Sequence, residues 1–335
     1  MRAHLEVTQS ISLSLASDRT ALPEGLSKCV EEIVRLTPRE LLRRQRRELR
    51  KLRDLARSSA ADDRDVIEGA PGTVRSVLMA ASPSGLKVAL IHKYLSRIGH
   101  KDADNLMEHL SSGFPLVGKI PVSPIAPAHD VRQATIPLDE LQERAETIAD
   151  SLLRQHAAEP GDSEAEDKVF AQTLEDIKLG RMAPLRPPGP LALPPYTRRF
   201  GVSQRSSHGD VKVRCIDDFA QSINDTVDID RRIRMGSISD LVETARRLHE
   251  ALPRESLHVM KSDFQAAYRS CPIHPDHVPY ANILVRDPSS GVVSVSTQWA
   301  MPFGAVSAVY AWDRLGEAIT SVLREVLLFP ASRYV

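Results

Sequence analysis

Cysteine is scarce in this 335-residue chain: Cys29, Cys215 and Cys271 are the only three. They are odd in number and far apart, which argues against a disulfide framework and a cysteine zinc site and fits a reducing compartment. Net charge is missing too, because Lys plus Arg and Asp plus Glu both number 44. Any electrostatic footprint must therefore be local. Long hydrophobic runs are also lacking. The first twenty residues are broken by Glu6, Gln9 and several serines before an apolar run reaches signal-peptide length, and no window approaches a membrane span. The expectation is an intracellular protein, nuclear or cytoplasmic, with no membrane partner. Apolar residues are not lacking, and at 42% of the chain they suffice for a sizeable core.

Thr37-Pro38-Arg39-Glu40 is a capping box with proline at the first helical position. It opens an arginine-rich helix with Leu42, Leu49, Leu52 and Ala56 as its apolar stripe. Arg43, Arg44, Arg46, Arg47, Arg50, Lys51 and Arg53 crowd the remaining surface. They suit phosphate binding or nuclear import, or else form a solvated face on a helix that pairs with another. Shorter helices are expected over 85–98 and 102–112, with Gly113 as a C-cap. His92, His100 and His109 show no metal-ligand spacing. Prolines punctuate 115–137, and 159–167 is acidic, so connections are expected around helices at 138–156 and 164–179. Six prolines in 184–195 read as an extended passage into a new domain.

The C-terminal part reads as α+β. Strands at 196–204 and 210–217, joined by SSHG, make a basic hairpin carrying Arg198, Arg199, Arg205, Lys212 and Arg214. A helix over 239–252 precedes Leu257-His258-Val259-Met260, an apolar run expected to be a buried strand ending at Asp263. A carboxylate there is either a turn-starter or a metal ligand on a rigid strand. Strands at 280–286 and 292–299 flank the turn PSSG, and a helix covers about 305–327.

Taken in order, KVRCIDDF, SDFQAAYRSCPI, QWAMPFGAVSAVYAWDR and the final RYV resemble the fingers and palm of retroelement reverse transcriptases. The likeness is greatest to the DIRS-type and other retrotransposon enzymes and covers about residues 165–335. It implies RNA-directed DNA polymerase chemistry, with RNA or DNA template plus primer and deoxynucleoside triphosphates as partners and Mg2+ or Mn2+ as cofactor. Two-metal nucleotidyl transfer needs carboxylates fixed at the reacting phosphate. Asp263 matches the family's first metal-binding aspartate, and the Phe264 carbonyl completes that ion's shell. Tyr268 matches the steric gate that favours deoxynucleotides; as a residue alone it could equally be core. Lys212 and Arg214 alternate with Val213 and so share a strand face, where the family grips the triphosphate; a solvated face is the alternative. Pro302-Phe303-Gly304 matches the loop before the second palm helix, where Gly304 permits close backbone approach, although Phe303 could equally be core. Val309 and Tyr310 depart from the usual alanine-proline turn.

The family's third motif, with its Asp-Asp pair, is expected where the sequence reads Arg333-Tyr334-Val335, and the thumb after it. The expectation is therefore a fragment, inactive as given. Asp217-Asp218 imitates an acidic pair and leaves a permuted palm as an alternative. The expected organisation is a poorly ordered 1–36, a helical region 37–116, linkers with helices over 117–183, and fingers with a truncated palm over 184–335. The competing functions are a non-catalytic nucleic-acid-binding protein on the same fold and a helical interaction protein.

Overall fold

A computed structural model describes residues 21–126, 132–158, 163–189, 196–205, 211–220, 222–233 and 235–333. The SSHG turn, Asp210, Tyr334 and Val335 lie outside these residues.

The chain opens with helix α1, Glu24–Val34, inside the stretch expected to be poorly ordered. Leu26, Cys29, Val30 and Ile33 recur at i, i+3, i+4 and i+7 and are all buried, so the segment is an amphipathic helix with a partner. The stripe packs with Leu248 and Leu328 in a small core of its own.

Helix α2, Pro38–Ser58, begins at the expected capping box: the Glu40 N–H donates to Thr37 Oγ1 at 3.3 Å and the Thr37 N–H donates to Glu40 Oε2 at 2.9 Å. Its inward face differs from the expected one. Leu42 and Leu49 are exposed, at 52% and 39%, whereas Leu41, Gln45, Glu48, Leu52 and Leu55 turn inward. The helix is turned this way around Glu48, its one buried residue, whose carboxylate accepts from Arg47 and Lys51 and lies 3.8 Å from Arg97. A buried carboxylate needs such partners, and Leu41, Leu52 and Leu55 share its face.

Helices α3 (Ala60–Gly69), α4 (Gly72–Ala80), α5 (Val88–Arg97) and α6 (Ala103–Ser112) follow, the first two unforeseen. Gly113 closes α6 at φ +101°, and a Cβ there would lie 2.4 Å from the His274 Cα. Strand β1 is Gly118–Lys119. The helix expected over 138–156 is two, α7 (Leu138–Glu143) and α8 (Ala145–Ala158), and α9 is Ser163–Lys178.

Strands β2 (Thr197–Arg205) and β3 (Val211–Asp217) form the expected hairpin. After β4 (Val227–Asp228), which pairs in parallel with β1, come α10 (Ile238–Ala251), β5 (Asn282–Arg286), β6 (Val293–Thr297) and α11 (Val306–Ser321). A π-turn, Val322–Val326, ends α11. The fold is thus a mixture of helices and small sheets, the α+β class expected. The main sheet runs β3-β2-β5-β6, with β2 parallel to β5 and the other pairs antiparallel. The proline-rich passage adds to it, since the Arg186 and Val295 backbones exchange hydrogen bonds of 2.9 and 2.8 Å along β6.

Residue pairing assigns the two faces of this sheet. Thr197, Ile283, Arg199 and Asp217 look toward α9, where Ile283 packs with Phe170, Ile177 and Met182. Leu284 and Val295 look the other way, onto Ala149 and Leu152 of α8. The largest core unites the helical region with the C-terminal part: Leu106, Leu110 and Phe114 belong to one cluster with Trp312, Leu315 and Met301.

One expected element is absent. Residues 256–264 form no strand, and Leu257, Val259, Met260 and Phe264 are 41–55% exposed. Apolar content suggested burial there, but a strand also needs a partner for its N–H and C=O groups, and among the described residues the segment has none.

Candidate functional site

Tyr268, Phe303 and Gly304 come together where the C-terminal end of β3 meets the loop before α11. The Asp217 N–H donates to the Phe303 carbonyl at 3.2 Å, and a Cβ on Gly304 would sit 2.2 Å from the Asp217 carbonyl oxygen. With φ at +116°, Gly304 occupies a conformation and a space that only glycine fits. Asn224 pins the loop from the other side: its Nδ2 donates to the Gly304 carbonyl at 3.0 Å and its Oδ1 accepts from the Val306 N–H at 2.9 Å. The loop is therefore held by two separate parts of the chain.

Tyr268 lies against this loop, its ring centroid 5.8 Å from that of Phe303. It opens a 3-10 turn, Tyr268–Ser270, that follows Ala266 at φ +54°, a left-handed conformation that costs a non-glycine residue about 1–2 kcal/mol. Burial raises the Tyr268 hydroxyl above its ordinary pKa, so it remains a neutral phenol at physiological pH. Phe264 makes an edge contact with Trp312 of α11 at 5.2 Å. Phe264, Tyr268, Phe303 and Gly304 thus border one region, although they derive from segments about forty residues apart.

Asp263 stands beside Phe264, exposed, and makes no ion pair among the described residues. Lys212 and Arg214 are exposed on β3 and likewise unpaired. Through Gln204 and Val202, their cross-strand partners, they belong to the sheet face that α8 covers at its far end, opposite the face bearing Asp217. They share a face, as alternation predicts.

Asp217 and Asp218 do not form an acidic pair. Asp217 is buried in a bidentate contact with Arg199, Nε to Oδ1 at 2.7 Å and Nη2 to Oδ2 at 3.0 Å, and accepts a third bond from Gln298 Nε2 at 3.0 Å. Asp218 is exposed and caps the Ala220 N–H. Arg199 reaches Thr173 of α9 at 3.1 Å, and Gln298 accepts from Arg269, which lies 3.4 Å from Asp176; Arg181 is 3.5 Å from the same Asp176. Three guanidiniums face two carboxylates in this interior cluster. Burial lowers the Arg269 pKa from its ordinary value, with Asp176 opposing. Arg199, one of the five basic residues of the hairpin, is thus interior. The signal was available: period-two alternation places Arg199 with Thr197 and Gly201 on the inward face.

A hard divalent ion requires about six oxygens. Asp263 and the Phe264 carbonyl would supply two, and among the described residues no group of three His, Cys, Asp or Glu side chains converges to hold an ion. The described residues do not by themselves fit a two-ion centre. Among the described residues no helix is long and apolar enough to cross a membrane. No protein-family model and no curated protein matches the chain.

Proposed function

We infer that this chain carries the nucleotide-approach side of a templated nucleotidyl-transfer module of the reverse-transcriptase kind, with its fingers in β2 and β3 and part of its palm around Tyr268 and α11. The observation that supports this is the meeting of three separate motifs. KVRCIDD ends against MPFG, and the Tyr268 ring of SDFQAAYRS leans on Phe303. In this reading Lys212 and Arg214 attract a triphosphate through charge-assisted hydrogen bonds, and the neutral Tyr268 ring crowds a ribose 2′-hydroxyl. The Phe303-Gly304 loop, braced on the Asp217 backbone, in this reading borders the nucleotide. Asp263, exposed and next to Phe264, is in this reading the available carboxylate.

Calorimetric titration with dATP and with ATP, magnesium present, tests the reading. dATP should bind more tightly, and Tyr268→Ala should bring the two affinities together. Lys212→Ala with Arg214→Ala should weaken both nucleotides alike, by about tenfold or more for a lost charged hydrogen bond. Equal affinity for the two sugars in the unaltered protein would sink the assignment.

A further inference from the structure

Helix α2 carries a feature that the nucleotide reading does not use. Arg39, Arg43, Arg46, Arg50, Arg53 and Arg57 follow one another at alternating steps of four and three and are all exposed. At 100° per residue they fall within an arc of about 80°, a single stripe about 27 Å long with one arginine per turn. The inward residues Leu41, Glu48, Leu52 and Leu55 occupy the opposite side of the helix. Of the six, Arg57 alone makes an ion pair among the described residues, 3.6 Å from Asp54, and Arg50 donates to the Arg46 carbonyl at 3.2 Å. Arg39, Arg43, Arg46 and Arg53 form no ion pair among the described residues.

Helix stability does not account for this arrangement. Like charges at i and i+4 repel, and arginines in the first turns oppose the positive end of the helix dipole. An ordinary solvated face intersperses the two signs. Here nine basic and three acidic residues lie within Pro38–Ser58, in a chain whose total charge is zero. Two of those acids are already engaged, Glu40 by the Thr37 cap and Glu48 by Lys51, Arg47 and Arg97.

We propose that the outward face of α2 is a docking surface for the phosphate backbone of a nucleic-acid duplex. Charge complementarity selects this occupant. A duplex carries one phosphate charge per about 1.7 Å of axis, so a stripe with a cation every 5 Å or so lies close to several phosphates along its length. Guanidinium matches phosphate with two parallel hydrogen bonds. A lipid surface suits the helix less well, because an interfacial helix must bury a continuous apolar face, and here Leu41, Leu52 and Leu55 are turned into the protein. A second copy of the chain would set one arginine stripe against another. The proposal does not depend on the nucleotide site, since the two use different residues.

The test is fluorescence anisotropy of a labelled DNA duplex of about 20 base pairs, with the full chain, over about 50–200 mM salt. The unaltered protein should bind with a log–log salt slope of at least about −4. Arg43→Gln, Arg46→Gln, Arg50→Gln and Arg53→Gln combined should flatten that slope by about 3–4 and weaken binding at least 100-fold at the lowest salt, by the order of magnitude of counterion release. Circular dichroism should remain unchanged. Replacing the same four by lysine should retain most of the slope, and Arg64→Gln with Arg75→Gln, exposed positions off α2, should change neither quantity. An unchanged slope in the glutamine variant would overturn the proposal. So would absence of duplex binding at low salt, or binding to phosphatidylserine-containing vesicles in its place.

Discussion

Arg199 and Asp217 lie side by side in the interior, one guanidinium edge on one carboxylate at 2.7 and 3.0 Å, with both side chains withdrawn from solvent. The pair joins β2 to β3 beneath α9, and its third partner, Gln298, extends the contact to Arg269 and the turn that carries Tyr268. The acidic motif therefore fixes the position of the Phe303-Gly304 loop, which rests on the Asp217 backbone. Both oxygens of the Asp217 carboxylate are engaged by these hydrogen bonds.

Asp217→Ala should accordingly be a severe lesion. It leaves Arg199, Arg181 and Arg269 buried around a single carboxylate, and breaking one side of a buried ion pair costs roughly 3–5 kcal/mol. Replacing both partners with apolar residues, Arg199→Met with Asp217→Leu, should cost clearly less, because no charge is stranded. Urea unfolding of the two variants checks this. A milder effect for the single substitution than for the double one would refute a structural role.

Gly304→Ala should be far costlier than an ordinary surface change. The added methyl would lie 2.2 Å from a backbone oxygen, and φ +116° is outside the region that alanine tolerates. We expect a loss of about 2–3 kcal/mol, read as a lower melting temperature. Gly99→Ala, at φ +66° with open space around it, is the comparison: it should cost no more than about 1–2 kcal/mol. Equal losses would mean that close approach to Asp217 contributes nothing.

What the sequence disclosed were local devices. The Thr37 capping box, the Gly113 terminus and the two hairpins announce themselves within a few residues, and each is found where expected. The alternation that puts Lys212 and Arg214 on one face is of the same kind. What stayed hidden depended on distant partners. Whether 257–260 becomes a strand is decided by whether another strand adjoins it, and apolar composition carries no information about that. The inward face of α2 includes Glu48, which lies 3.8 Å from Arg97 of α5, a partner about fifty residues away in sequence. The structural role of Asp217 was hidden because its partner, Arg199, stands eighteen residues earlier on the neighbouring strand.

Asp263→Asn should leave the fold untouched. The side chain is exposed, without an ion pair among the described residues, and substitutions at such positions change stability by no more than about 0.5 kcal/mol. On the nucleotide reading the same substitution should weaken magnesium–dATP binding, whereas Asp218→Asn should not. Equal binding by the two variants would remove Asp263 from the site.

Asp313 supplies a prediction in pH. Its carboxyl is raised from 3.8 to about 6, chiefly by burial within α11, with Glu317 and Asp102 adding to the effect and Arg333 opposing it. Arg333 Nη2 lies 2.6 Å from its Oδ1, yet neither carboxyl oxygen receives a well-aligned hydrogen bond, which is consistent with a charge that the site accommodates poorly. Between pH 3.8 and about 6 the folded protein holds a proton that the unfolded chain has already released. By linkage, this group's contribution to stability declines as pH rises across that window and is constant above it. Asp313→Asn removes the titration, so the variant should gain on the unaltered protein through the window. By pH 7.5 the gain should reach at most about 3 kcal/mol, at about 1.4 kcal/mol per pKa unit. Urea unfolding of both proteins at intervals from pH 4 to 7.5 measures it. Taking the difference cancels the carboxylates with the opposite slope, among them Glu48, whose pKa its hydrogen bond to Lys51 holds low. A difference that stayed flat, or that fell as pH rose, would show that the ion pair with Arg333 outweighs the cost of burial.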